Sequence, residues 1–173
     1  MSSPSANWGA APNKKVLIVG LADMATCSDL ATELVAHSLG SCLGIAIYDP
    51  IRKVGGLLHV MLPDSTIDPA KAERSPCMFI DSGVPRLFHA VYALGGEKSR
   101  MVIKVAGGSQ FMDDAKIFNI GRRNVEALQA LVARNGVSIH KQDTGGRASR
   151  TMRLDLPTGS VTINSPGNPP HTL

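Results

Sequence analysis

The sequence predicts an α+β fold in which a few helices pack on mostly antiparallel sheet. Three observations carry that prediction. Short apolar, β-prone runs outnumber helical patterns, most are joined by Gly, Pro, Asn or Asp turns, and only two long segments space apolar residues helically. At 173 residues, with 43% hydrophobic and 18% charged side chains, the chain is long enough to bury one core. Aromatics are only 4%, with a single Trp, so Val, Ile, Leu, Ala and Met must build that core. Residues 1–13, rich in Ser, Pro, Ala and Asn, are expected to be a flexible arm, 14–164 a single domain, and 165–173, with three prolines and a glycine, a flexible tail.

The elements follow in order. Residues 14–20 form a first strand and 21–30 an irregular connection, in which Cys27 is structural or incidental because no histidine stands in fixed relation to it. Residues 31–38 form a second strand leading to the Gly40-Ser41 bend. The runs 43–48 and 54–62 flank Asp49-Pro50 and make a hairpin, followed by a polar loop over 64–76. Asp81 or Ser82 caps a helix starting near Val84-Pro85, where proline suits the first turn, with Val84, Leu87, Phe88, Val91 and Leu94 as its apolar stripe. Gly95-Gly96 stop it, and His89 sits on its flank as a surface residue. Residues 100–106 form a strand before Gly107-Gly108, which lack both GxGxxG and a Walker lysine and so do not indicate a nucleotide site. Residues 117–134 make the longest helix, where Arg122 and Arg123 near the start oppose the macrodipole. Strands at 137–143, with His140 packed within, 149–155 and 160–164 complete the order, the last two joined through Leu156-Pro157-Thr158-Gly159.

The hairpin holds the candidate chemistry. If its turn centres between Pro50 and Ile51, Cys42 lies opposite His59 on one face; a slip of one residue would separate them. Imidazole beside a thiol can take its proton and yield a thiolate nucleophile near neutral pH. Each side chain taken alone also reads as ordinary core packing.

The net charge of +4 is scattered, which fits an acidic protein surface better than nucleic acid. Three cysteines without a CxxC pair indicate neither a disulfide framework nor a zinc site, as suits a reducing cytoplasm. No apolar run reaches the roughly 20 residues of a membrane span, and no signal sequence is evident, so a cytoplasmic location without membrane insertion is expected.

Several ordered blocks carry a family resemblance: Leu39-Gly40-Ser41-Cys42, Asp49-Pro50, Gly55-Gly56, His59-Val60-Met61-Leu62-Pro63, Asp81, Ala106-Gly107-Gly108, Ile120-Gly121-Arg122-Arg123-Asn124, Asp143-Thr144-Gly145-Gly146 and Arg150. The sequence resembles CheD, the chemoreceptor glutamine deamidases of bacterial and archaeal chemotaxis. The resemblance implies a three-layer fold shared with the cytotoxic necrotizing factor deamidases. It also implies hydrolysis of receptor glutamines to glutamate with release of ammonia, through a Cys42 thiolate and a thioester, with no metal or organic cofactor. His59 would move the protons, backbone N–H groups at Ser41 and Cys42 would hold the oxyanion, and Gly107 and Gly108 would lie near the substrate. The same chemistry admits methylesterase side activity. CheD proteins carry a threonine six positions before the cysteine as a third catalytic member; this chain has Ala36, and Ser38 is the candidate to supply the hydroxyl. The implied partners are methyl-accepting chemotaxis receptors and the response-regulator phosphatase CheC. A chain that lost catalysis would keep the role of a binding module that stimulates CheC.

Overall fold

The computed structural model describes residues 14–110 and 119–173. The expected arm at 1–13 and the first residues of the expected helix at 117–118 lie outside them. Two five-stranded sheets face each other and helices cover the outer side of one, an α+β sandwich of three layers. The first sheet runs in the order β1 (Lys15–Ile18), β3 (Thr32–Leu39), β8 (Arg150–Asp155), β9 (Val161–Asn164), β10 (His171–Thr172). The second runs β2 (Asp23–Cys27), β5 (Val54–Val60), β4 (Leu43–Asp49), β6 (Val102–Gly107), β7 (Lys141–Thr144). Pairing is antiparallel except for β1 with β3 and β6 with β7. No helix among the described residues is long and apolar enough to cross a membrane.

β4 explains the layering. Every residue of β4 is buried, because alternate side chains serve different cores. Leu43, Ile45 and Ile47 join Leu58, Val60, Leu87 and Leu128 under the helices, whereas Ala46 and Tyr48 join Leu57, Leu34, Leu39, Met152 and Leu154 between the sheets. Each fully buried leucine or isoleucine here contributes about 1.5–3 kcal/mol. The Tyr48 hydroxyl donates to the Leu156 carbonyl at 2.9 Å, so this polar group in the inter-sheet core is satisfied.

Five expectations are corrected. Residues 23–27 are not an irregular connection: they pair with β5 as edge strand β2, where tertiary pairing overrides the weak β-propensity of Asp and Ala. The polar loop after the hairpin contains α1 (Pro69–Arg74), capped by the Asp68 carboxylate accepting from Lys71 N. α2 (Ile80–Ala93) begins four residues before Val84, so Pro85 lies inside it and the helix forgoes one backbone bond there. Asp81 does not cap it but accepts from the backbone and hydroxyl of Ser65, at 2.9 and 2.6 Å. The end of the chain is not a free tail: β10 pairs with β9, and the Leu173 N–H donates to Val161 O.

α2 ends before Gly95-Gly96 as expected, and α3 (Ile120–Arg134) ends where expected but begins after Asn119, burying Gly121, Asn124, Leu128 and Val132. The last predicted helix-to-strand step starts late. His140 is exposed and precedes β7, yet its N–H donates to Ile103 O and its Nδ1 accepts from Ile103 N, so it extends the pairing by side chain.

Asp49 locks the hairpin turn. Its fully buried carboxylate accepts from the N–H groups of Ile51, Arg52 and Glu97 and from the Arg100 guanidinium at 2.7 Å. Burial pushes this carboxyl up, but Arg100 and the three N–H groups outweigh it and hold the group well below the usual carboxylate range. Asp49→Ala should therefore cost about 2 kcal/mol in urea unfolding at pH 7. Because the folded pKa is depressed, the contribution is complete above about pH 4 and should fade as the pH drops below it.

Candidate active site

The turn Gly40-Ser41-Cys42 is held from beneath by three successive carbonyls. Ser109 N donates to Gly40 O at 2.8 Å, Asn124 Nδ2 to Ser41 O at 2.9 Å, and Gly108 N to Cys42 O at 2.9 Å. Gly107 makes this possible. Its φ is +114°, and a Cβ there would sit 2.1 Å from Cys42 O, so only glycine lets β6 approach so closely. Gly121 does the same for α3: a Cβ would meet the carbonyl oxygens of Gly108 and Ser109 at 2.5 Å.

The support extends outward through charged groups. The Ser109 hydroxyl donates to Ala148 O at 2.6 Å and accepts from Arg150 at 2.8 Å; Arg150 in turn pairs with Asp143 at 2.9 Å. His171 of β10 reaches the other Asp143 oxygen at 3.2 Å. Gly107, Gly108 and Ser109 are all buried, so the structure places Gly107 and Gly108 under the cysteine turn rather than on an open surface.

A trans peptide points each C=O away from the next residue's N–H, and the described chain has no cis bond. With Gly40 O directed at Ser109 and Ser41 O at Asn124, the N–H groups of Ser41 and Cys42 therefore point the opposite way. The Cys42 N–H also approaches its own sulfur.

The hairpin register differs from the expected one by two residues, because the turn spans all of Pro50-Ile51-Arg52-Lys53 and Asp49 pairs with Val54. Gly44, not Cys42, lies opposite His59. An even shift preserves the face: His59 and Cys42 both look into the inter-sheet space, as diagonal neighbours roughly 7–8 Å apart at their backbones, with no hydrogen bond between them. Gly44 places no side chain between them.

His59 is 4% exposed and neither ring nitrogen has a hydrogen-bond partner. Burial lowers its pKa; the nearby Val19 backbone opposes this without reaching hydrogen-bond geometry. Burial also raises the Cys42 thiol, with its own N–H opposing. Burial thus favours the neutral form of each group and works against the preformed thiolate expected from the sequence.

Ala36 and Ser38 do not share a face as simple alternation predicts. A bulge separates the pairs Ala36–Met152 and Leu39–Arg150, so both Ala36 and Leu39 face the inter-sheet core while His37 and Ser38 turn outward. Ser38 is exposed with φ +56°, a left-handed residue that forms the bulge. Asn124, Ser109, Asp143 and Arg150 were not singled out as site residues from the sequence. All but Ser109 fall in the resembling blocks, which was the available signal; Ser109 gave none.

The family model for CheD chemotactic sensory transduction matches residues 61–165, more than half of the chain and downstream of both Cys42 and His59. A probable chemoreceptor glutamine deamidase CheD 1 of Syntrophus aciditrophicus is 46% identical over 88% of this chain and 96% of its own length. A probable chemoreceptor glutamine deamidase CheD 2 of Anaeromyxobacter dehalogenans is 42% identical, covering 87% and 94%. The corresponding Solibacter usitatus protein is 40% identical, covering 87% and 89%.

A half-buried thiol whose pKa is raised by desolvation has a distinctive titration. Iodoacetamide labelling of Cys42, followed by mass spectrometry, should keep accelerating with pH beyond about 8.5, the pKa of a free thiol, instead of levelling near 7 as a thiolate–imidazolium pair would.

Proposed function

The chain belongs to the CheD family, and on that footing we propose that it is a chemoreceptor glutamine deamidase with Cys42 as nucleophile and His59 as its proton carrier. The observation that carries this reading is the unpartnered, buried imidazole of His59, diagonal to Cys42 across a glycine. A buried histidine with both nitrogens unsatisfied is costly unless a reacting group completes it.

The chemistry follows from the neutral resting pair. His59 takes the Cys42 proton as Sγ attacks the glutamine carboxamide carbon. The oxyanion is met by the N–H groups of Ser41 and Cys42, which the tied carbonyls aim away from the support. The His59 imidazolium then gives its proton to the departing nitrogen, ammonia leaves, and a thioester remains. Water, losing a proton to His59, attacks the thioester; the tetrahedral intermediate collapses to glutamate and the thiol is restored. The sum is glutamine plus water giving glutamate plus ammonia. A glutamate methyl ester would follow the same course with methanol as leaving group, which is the basis for methylesterase side activity. The substrate is the cytoplasmic part of a methyl-accepting receptor, reached from the cytoplasm.

Ser38 takes no part in this scheme, because its side chain is turned outward on the bulge. A second reading rests on Ala36, a wholly buried methyl where the family carries a hydroxyl: a catalytically weak module that binds and stimulates CheC.

Incubation with a receptor cytoplasmic fragment from the same organism, read by mass spectrometry for glutamine-to-glutamate conversion, separates the two. The deamidase should convert, Cys42→Ala and His59→Ala should each lose at least about 100-fold, and Ser38→Ala should stay within about twofold of the unaltered protein. No conversion by the unaltered protein, together with CheC binding that survives Cys42→Ala, would transfer the assignment to the module.

A further inference from the structure

The two halves of the reactive pair sit on different segments, Cys42 at the start of β4 and His59 near the end of β5, and both segments run out of the sheet just beyond them. Beyond the last ladder pair, Leu43–Val60, no strand pairing fixes the distance between the Cys42 turn and the chain after His59. Among the described residues, the Asn124 side chain bridges that gap. Asn124 Nδ2 donates to Ser41 O and to Met61 O, each at 2.9 Å, the first carbonyl one residue before the nucleophile and the second two residues after the histidine.

The choice of side chain matters. A primary amide nitrogen carries two hydrogens in a fixed plane, so it can donate to two carbonyls at once; a carboxylate of the same shape carries none. Asn124 is completely buried, so no solvent competes for either bond. Gly121, one turn earlier on the same stripe of α3, seats the helix against Gly108 and Ser109 closely enough for Asn124 to reach. The amide oxygen has no partner in this structure, so the residue is held in place by its donor side alone.

We propose that Asn124 is the positioning residue that sets the Cys42–His59 separation, pinning the turn before the nucleophile to the strand exit after the base. This deepens the deamidase reading and rests on it for the identity of the reaction, but the coupling it describes is a property of the thiol and imidazole themselves. Asn124 touches neither substrate nor the reacting atoms; it acts through the backbone on either side.

The test is a double-mutant cycle on Cys42 reactivity, measured as iodoacetamide labelling at pH 7.5, beside receptor-fragment kinetics. His59→Ala and Asn124→Ala should each slow labelling by about tenfold, and the double variant should be no slower than either one. On the receptor fragment, Asn124→Ala and the isosteric Asn124→Asp should lower kcat by about 100-fold while KM moves less than about threefold. Leu128→Ala, one turn further along the same buried stripe, loosens α3 without touching either carbonyl and should leave both labelling and kcat within about threefold. If Asn124→Ala does not fold, Asn124→Ser, which keeps a shorter single donor, serves in the same cycle. Multiplicative effects of the His59 and Asn124 changes, or a Leu128→Ala protein that reproduces them, would overturn the proposal. A cycle that holds in a protein that deamidates nothing would instead sink the deamidase reading and leave the positioning role standing.

Discussion

Everything at the active end depends on one close approach of two backbones, β6 against the Cys42 turn. That contact exists because Gly107 lacks a Cβ at a position where one would overlap the Cys42 carbonyl oxygen. From it follow the neighbouring bonds from Gly108 to Cys42 O and from Ser109 to Gly40 O, and the Asn124 side chain claims the Ser41 carbonyl between them. The outward orientation of the Ser41 and Cys42 N–H groups is what remains once those carbonyls have been claimed from the other side; in the proposed mechanism these two groups are the oxyanion donors.

A second constraint is dryness. Half-buried Cys42 and buried His59 face the core between the two sheets, and the same burial that packs Leu39, Met152 and Leu57 also raises the thiol and lowers the imidazole. In the proposed mechanism, stability and reactivity therefore pull on the same residues. A site with charges already separated would have to carry a thiolate and an imidazolium in a low-dielectric cleft, whereas a neutral pair is compatible with a tightly packed core until a substrate arrives.

Much of this was legible in the sequence, for reasons that differ by element. The hairpin, α3 and the late strands were readable because period-2 and period-3.6 patterns and their glycine stops are local. The face shared by Cys42 and His59 was readable even though the register was not, since turn length moved the pairing by an even step. β2 and β10 were missed because edge strands made of Asp, Ala, His and Thr owe their form to the strand they join. Ser38 was misplaced because a bulge is written in backbone angles, not in residue type, and Pro85 misled because the helix absorbs it in its second turn. The support for the cysteine turn was visible only as scattered motif blocks; what joins Ser109, Asn124 and Arg150 is their distance in space.

The position of β4 has one more consequence. It is the middle strand of its sheet, paired on both edges and covered on both faces, so its amides should exchange with solvent only when the whole domain opens. Cys42 begins where that strand begins. Partial melting at the β1 edge would leave Cys42 in place, and loss of the cysteine turn on heating would coincide with loss of the fold rather than precede it.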